Sequence, residues 1–240
     1  MKALAAQTRV ELVLTLRRGE SVLLTLIIPV LLLVFFSSVD ILPVGVKDPV
    51  DFLAPGILAL AVMSTAMVGL GIATGFERQY GVLKRLGSTP LGRPRLLGAK
   101  TNSIIAVEVL QVVILVAVAA ALGWDPLHTS IGAAVAAMVL GTVAFAGLGL
   151  LMAGTLRGEV VLAAANGLYL LLLLVGGMVV PLTKLPGALR PLARALPAGA
   201  LSDALHHALG GAHAGSSYWL VLVAWAIAAP IAAAATFRWE

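Results

Sequence analysis

Few side chains in this sequence could do chemistry, and most of them stand alone. Glu108 is the one acid placed clearly inside a long apolar stretch, seven residues after Thr101. That is about 10 Å along a helix rising ~1.5 Å per residue. A charge near the centre of a membrane helix costs roughly 2.5–3.5 kcal/mol, so the carboxyl must face protein or water or be protonated. Gln111, at i+3, shares its face. One reading is a proton or cation site; the other is a polar clasp to another helix, or snorkelling to the interface. A single carboxylate with no basic partner favours the clasp. Asn166 poses the same choice between a hydrogen bond across helices and a substrate contact, and the clasp is again preferred. Met63, Met67 and Met178 offer adaptable apolar surface for varied ligands, or simply pack. With Asn166 and Tyr169 they are the residues expected to line a substrate path.

Other chemistries are argued against by spacing. His206 and His207 are adjacent and point about 100° apart on a helix, so they do not share a facial metal site. Asp203 is the only carboxylate near them and His213. Residues 92–101, from Gly92 to Thr101, superficially suggest a phosphate loop. The first glycine is too far from Gly98, and Ala99 separates Gly98 from Lys100, so the loop geometry fails. The chain is therefore not expected to hydrolyse ATP by itself. There is no cysteine, which excludes disulfides, thiolate metal sites and cysteine nucleophiles. No HExxH or other hydrolase constellation is present.

The elements that must position these residues are membrane helices. The chain has 240 residues, of which 60% are hydrophobic and 11% charged. Soluble domains carry about 25% charged residues, so this composition belongs in lipid. Net charge is +5, without the aromatic pattern of an RNA-binding surface, and no nucleic-acid partner is expected. Residues 1–20 read as an interfacial helix, with Thr8, Glu11, Thr15 and Arg18 on one face and Ala6, Val10 and Val13 on another. Six spans follow, at about 21–39, 52–75, 101–123, 130–153, 160–180 and 218–237, each near the roughly 20 residues a bilayer requires. Pro29 should kink the first. Gly71 and Gly75 give the second a small-residue face for close helix approach. No cleavable signal peptide is evident.

Charge sets the orientation. Residues 76–100 carry Arg78, Lys84, Arg85, Arg93, Arg95 and Lys100 against the single acid Glu77. A basic loop between spans stays in the cytoplasm. With the N-terminus inside, the inner side also collects Lys2, Arg9, Arg17, Arg18, Arg157 and Arg238. Only Lys47, Lys184, Arg190 and Arg194 fall outside, which accounts for all 16 basic residues. Both termini are thus expected in the cytoplasm of a multi-pass protein of the cell (inner or plasma) membrane. Residues 77–87 can form about three helical turns with Tyr80, Leu83 and Leu86 on one face, ended by Gly87 and Pro90.

These residues carry a resemblance. Glu77-Arg78 at a span end, then Gly81, Leu83, Leu86 and Thr89-Pro90, resemble the first cytoplasmic loop of ABC-2-type exporter permeases. The family's further acids near Gln79 and Lys84 are absent from this chain. The resemblance implies a coupling helix seated in a groove of a separate ATPase, with Glu77, Arg78, Tyr80, Leu83, Lys84, Leu86, Thr89 and Pro90 as docking residues. It also implies two ABC ATPase subunits and a second permease subunit, identical or homologous, beside this one. ATP and Mg would bind the ATPase, and this chain would bind no cofactor.

A second region supports the same family. Pro181, Leu182, Thr183, Lys184, Leu185 and Pro186, with Leu196-Pro197 later, resemble the segment after span 5 in these permeases, where short helices dip into the outer leaflet. Residues 181–216 are too polar and proline-rich to span, yet too apolar for a free loop. Two short amphipathic helices are expected, at 185–196 and 202–209, the first with Leu185, Leu189, Leu192 and Leu196 on one face and Arg190 and Arg194 reaching lipid phosphates. Pro181, Leu185, Pro186, Leu189 and Pro197 are the candidate external gate, the alternative being a passive interfacial anchor. The fold expected is an all-α integral membrane protein with residues 1–240 as one transmembrane domain. The function implied is the permease of an ATP-driven exporter of an amphipathic or lipophilic small molecule, such as a drug, antibiotic or lipid. Rival readings are a proton-coupled transporter using Glu108 and a non-transporting membrane scaffold.

Overall fold

A computed structural model describes residues 2–17, 19–39, 48–87, 93–126, 130–210 and 217–238. Within them the fold is all-α. Helix α1 is Lys2–Arg17 and α2 is Gly19–Ser38. The long α3 is Pro49–Gln79, and its middle, Ser64–Gly69, is a π-turn. After a break come α4 (Val82–Gly87), α5 (Arg93–Ala121), α6 (Ile131–Thr155) and α7 (Gly158–Val175). A 3-10 turn at Leu182–Lys184 leads to α8 (Leu189–Ala195), α9 (Pro197–Gly210) and α10 (Ser217–Thr236).

Five helices among the described residues are long and apolar enough to cross a bilayer: α3, α6, α7, α10 and the Gly98–Ala121 part of α5. The apolar part of α2, Thr25–Ser38, is shorter, although its helix passes Pro29 without interruption. Burial differs sharply between them. The most apolar window of α3 is 78% buried, against 22% for α7 and α10, so α3 is the axis on which the others pack. Exposed Leu170, Leu171 and Leu174 on α7, and Leu220, Ile227 and Ile231 on α10, form an apolar outer surface, as lipid requires.

Small residues set the packing. A Cβ on Gly71 would lie 3.1 Å from the backbone of Gly149, and one on Gly149 would lie 2.7 Å from the Met67 carbonyl. The small-residue face expected on α3 is therefore the contact with α6, and α7 closes on the same stretch, with Val161 against Gly75. On its other side α6 pairs with α10, where a Cβ on Gly147 would meet the Pro230 nitrogen at 2.6 Å.

Two expectations change here. Helix α7 ends at Val175, not near 180, and residues 176–181 run as non-helical backbone. Irregular backbone at membrane depth must be surrounded by protein. It is: Gly56 leaves room for the Met178 carbonyl, which a Cβ would strike, and Ser202 Oγ donates to the Gly177 carbonyl at 3.0 Å. Gly177 itself has φ +71°, a conformation in which a Cβ is costly. The second change is α9. A short amphipathic helix at 202–209 was expected; the helix begins at Pro197 and is buried almost throughout. Proline suits a first helical turn, where its missing N–H is no loss. Ser202 thus lies mid-helix, not at an N-terminus. Alanines at 198, 200, 204 and 208 let α9 sit against α3 and α6.

Candidate functional site

The basic end of the bundle is built from α1, the end of α3, α4 and the start of α5. The helix expected over 77–87 is two pieces. Glu77 to Gln79 finish α3, Gly81 turns the chain at φ +70°, and α4 restarts at Val82. Glycine at 81 is what permits this left-handed turn.

Three consecutive residues at the end of α3 each hold a different element. Glu77 pairs with Lys100 of α5, and Lys100 Nζ also meets Glu11 Oε2 of α1 at 3.0 Å. Lys100 is 3% exposed, so this is an internal cluster and not a solvated loop charge. Arg78 donates to the carbonyls of Leu156 and, at 2.7 Å, Gly154, closing the C-terminal end of α6. A guanidinium there satisfies carbonyls that the helix leaves unpaired and complements its dipole. Gln79 Oε1 accepts from the Gly158 N–H at 2.9 Å, and its Nε2 donates to Glu159 at 3.2 Å, capping the start of α7. Glu77 and Arg78, read as docking residues, are thus engaged within the chain. Glu11 turns toward α5, while Val10, Val13 and Leu14 of α1 are exposed.

The docking face also differs from expectation. Leu83, read as a groove-filling residue, is fully buried within the chain and packs inward. The break at Gly81 rotates α4 relative to α3 and separates Tyr80 from Leu83. Tyr80 and Val82 are the exposed apolar side chains, at 69% and 39%, beside exposed Lys84 and Arg85. The side chain of Leu86, and Thr89 and Pro90 altogether, lie outside the described residues.

A cavity of about 740 Å³ opens between α1, α2, α3, α5 and α7. Its wall is mainly apolar, from Ile28, Pro29, Val68, Ile72, Ile104 and Val107, with polar points at Thr25, Ser64, Thr65, Ser103, Asn166 and Tyr169. Phe76 and Tyr80, stacked with centroids 6.1 Å apart, and the Glu11, Lys100, Glu77 cluster lie at its basic end. Asn166 and Tyr169 both line this cavity. Asn166 is exposed and donates to the Leu162 carbonyl of its own helix at 2.8 Å. Met63, Met67 and Met178 are not on this wall: all three are fully buried in the core around α3. Their alternative role as packing is the one the geometry gives.

Glu108 accepts from Thr142 Oγ1 of α6 at 2.6 Å and is 5% exposed, away from the cavity wall. The clasp between α5 and α6 fits this geometry; its Oε1 has no hydrogen-bond partner among the described residues. Gln111 reaches the other way, to α2 and α3. His206 is buried with its ring nitrogens 2.7 Å from the Ser202 carbonyl and 2.9 Å from that of Phe52, while His207 is exposed. The two point apart, no metal-binding group exists among the described residues, and His213 lies outside them.

At the opposite end, the 3-10 turn and α8 carry the proposed gate residues. Leu189 and Leu192 are 39% and 55% exposed, Pro181 and Leu185 are half-buried, and Pro186 is exposed. Pro197 is buried at the start of α9. Arg190 folds back onto the Leu185 and Thr183 carbonyls instead of extending to lipid. Trp225 of α10 donates to the Ala195 carbonyl at 2.9 Å and anchors the end of α8.

Sequence reasoning missed Glu11, Gln79 and Lys100 as a positioning set and missed the π-turn. The one available signal was Lys100 itself, a lysine directly beside a long apolar run, which must either snorkel or find acids. No curated protein matches the chain. The ABC-2 type transporter family matches residues 3–209, which include the basic end, the cavity walls and nearly all of α9. The chain belongs to the ABC-2 type transporter family and is a membrane-embedded permease subunit of an ABC transporter.

Proposed function

We propose that this chain moves an amphipathic or lipophilic small molecule outward, driven by ATP hydrolysed on two separate ABC ATPase subunits. It works beside a second, identical or homologous permease subunit, in the cell membrane, with six spans and both termini in the cytoplasm. The basic end is the cytoplasmic face, and residues 181–216 lie outside. One observation carries the reading: Phe76, Glu77, Tyr80 and Val82 line the cavity, and Tyr80 and Val82 also form the exposed apolar face. A push on that face is delivered directly to the wall of the cavity. A mainly apolar volume of several hundred Å³ with a few polar points is the usual form of a small-molecule site.

The reading is tested by purifying the chain with its ATPase in lipid nanodiscs. Filling the cavity with Val68→Trp should suppress substrate-stimulated ATPase activity and leave the complex intact. Stimulation that is unchanged, with the tryptophan shown to be present, would remove the cavity from the path. Retention of transport without any ATPase, together with its loss in Glu108→Gln, would favour the proton-coupled alternative.

A further inference from the structure

Two irregular helices meet at one side chain. Pro29 has no N–H, so the Thr25 carbonyl four residues earlier loses the donor that a regular helix would supply. Gln111 Nε2 donates to that carbonyl at 3.0 Å. In α3 the Leu70 N–H reaches back five residues to the Thr65 carbonyl, which defines the π-turn. Thr65 Oγ1 then donates to Gln111 Oε1 at 2.8 Å. Both ends of one amide are used, one on each irregularity.

Gln111 is 2% exposed and does not touch the cavity. Thr25, Pro29, Thr65 and Val68 do. Proline gaps and π-turns are where helices bend most readily, and π-turns concentrate at functional sites. On the same helix, Glu108 is held to Thr142 of α6. Helix α5 is therefore tied to the bundle on one side and to two bendable helices on the other. We propose that Gln111 is a positioning residue that fixes the proline gap of α2 and the π-turn of α3 relative to each other, and so sets the shape of the cavity. That the cavity carries substrate rests on the preceding section; that Gln111 fixes its shape does not.

The test uses the absence of native cysteine. Val68→Cys is introduced on the cavity wall of the complete transporter in nanodiscs, and its labelling rate by a small maleimide is measured. Gln111→Ala should change that rate about fivefold, the population shift produced by losing about 1 kcal/mol of hydrogen bonding. Thr65→Val should change it in the same direction, and Thr65→Ser should restore it. Pro29→Ala gives the Thr25 carbonyl an N–H of its own, so Gln111→Ala should matter distinctly less in that background. Unchanged labelling in both Gln111→Ala and Thr65→Val, or strictly additive effects with Pro29→Ala, would overturn the proposal. If Gln111→Ala does not reach the membrane, Thr65→Val against Thr65→Ser decides the matter with Gln111 in place. A second readout is ATPase stimulation by rhodamine 6G, whose half-saturating concentration should shift more than its maximal rate. Altered labelling with unaltered stimulation would retain Gln111 as a positioning residue and remove the cavity as the substrate site.

Discussion

Lys100 is the residue on which the basic end is most dependent. It lies buried between Glu11 and Glu77, so its removal takes a buried positive charge from between two carboxylates. Breaking a buried ionic cluster from one side costs about 3–5 kcal/mol, whereas replacing it by apolar groups of similar size is often neutral. Lys100→Met alone should therefore lower the melting temperature of the detergent-solubilised chain markedly. Replacing Glu11, Glu77 and Lys100 together by Met should recover most of the loss; no recovery would mean the cluster is not held by charge. His206 makes a prediction of the opposite kind. Burial pushes its imidazole below the ordinary histidine range, against the pull of the Ser202 and Phe52 carbonyls. A group with a lowered folded value favours the fold above its unfolded pKa of about 6.5, and that contribution is lost as pH falls through the folded value. Asp203 is shifted up by burial, opposed by Arg194. Its contribution runs the other way and is lost as pH rises, so it does not produce acid sensitivity. The melting temperature should fall below about pH 6.5, and His206→Gln should flatten that fall.

At the scale of elements, α4 shows how a periodic reading goes astray. Tyr80, Leu83 and Leu86 share a face only if the helix is continuous, and Gly81 at φ +70° breaks it. Leu83→Asp would therefore damage the fold as well as any docking, because it puts a carboxylate into a fully buried position. Tyr80→Asp with Val82→Asp is the cleaner probe. That pair should abolish co-purification with the ATPase while leaving the melting temperature of the permease near the parent value. Undiminished co-purification would move the docking face elsewhere. At the other end, α8 holds Leu189 and Leu192 outward from the bundle. Leu189→Cys, crosslinked to its counterpart in the second permease, should stop export and leave ATPase docking intact if the segment is a gate. Full export after efficient crosslinking would make it an anchor.

For the whole molecule, topology is tested by labelling Arg85→Cys and Gly187→Cys, which should react from opposite sides of the membrane. Reaction of both from outside would reverse the orientation read from the basic residues. Hydrophobic length and charge made the apolar segments legible within a few residues, because lipid leaves little choice of backbone. What they could not convey was which helix is central. Helix α3 and helix α10 are almost equally apolar, yet one is buried and the other is not. In lipid, apolar composition no longer distinguishes inside from outside; the close approach of Gly71 and Gly149, which seats α6 on α3, does. The polar contacts escaped for a related reason. Gln79, Lys100 and Gln111 are paired across 23 to 89 positions of chain, and spacing within one helix carries no trace of such partners. The pairing of Phe52 with His206, 154 positions later, has a consequence for synthesis. A ribosome delivers α3 to the membrane long before α9 and the 176–181 segment that cover its first half. Until they arrive, the Gly56 hollow and the Phe52 carbonyl face lipid or whatever insertion factor stands nearby. A chain stopped after Val175 would retain most of its apolar length and still lack the cover of its own axis. It should be a substrate for membrane quality-control proteases, with a half-life well below that of the full chain.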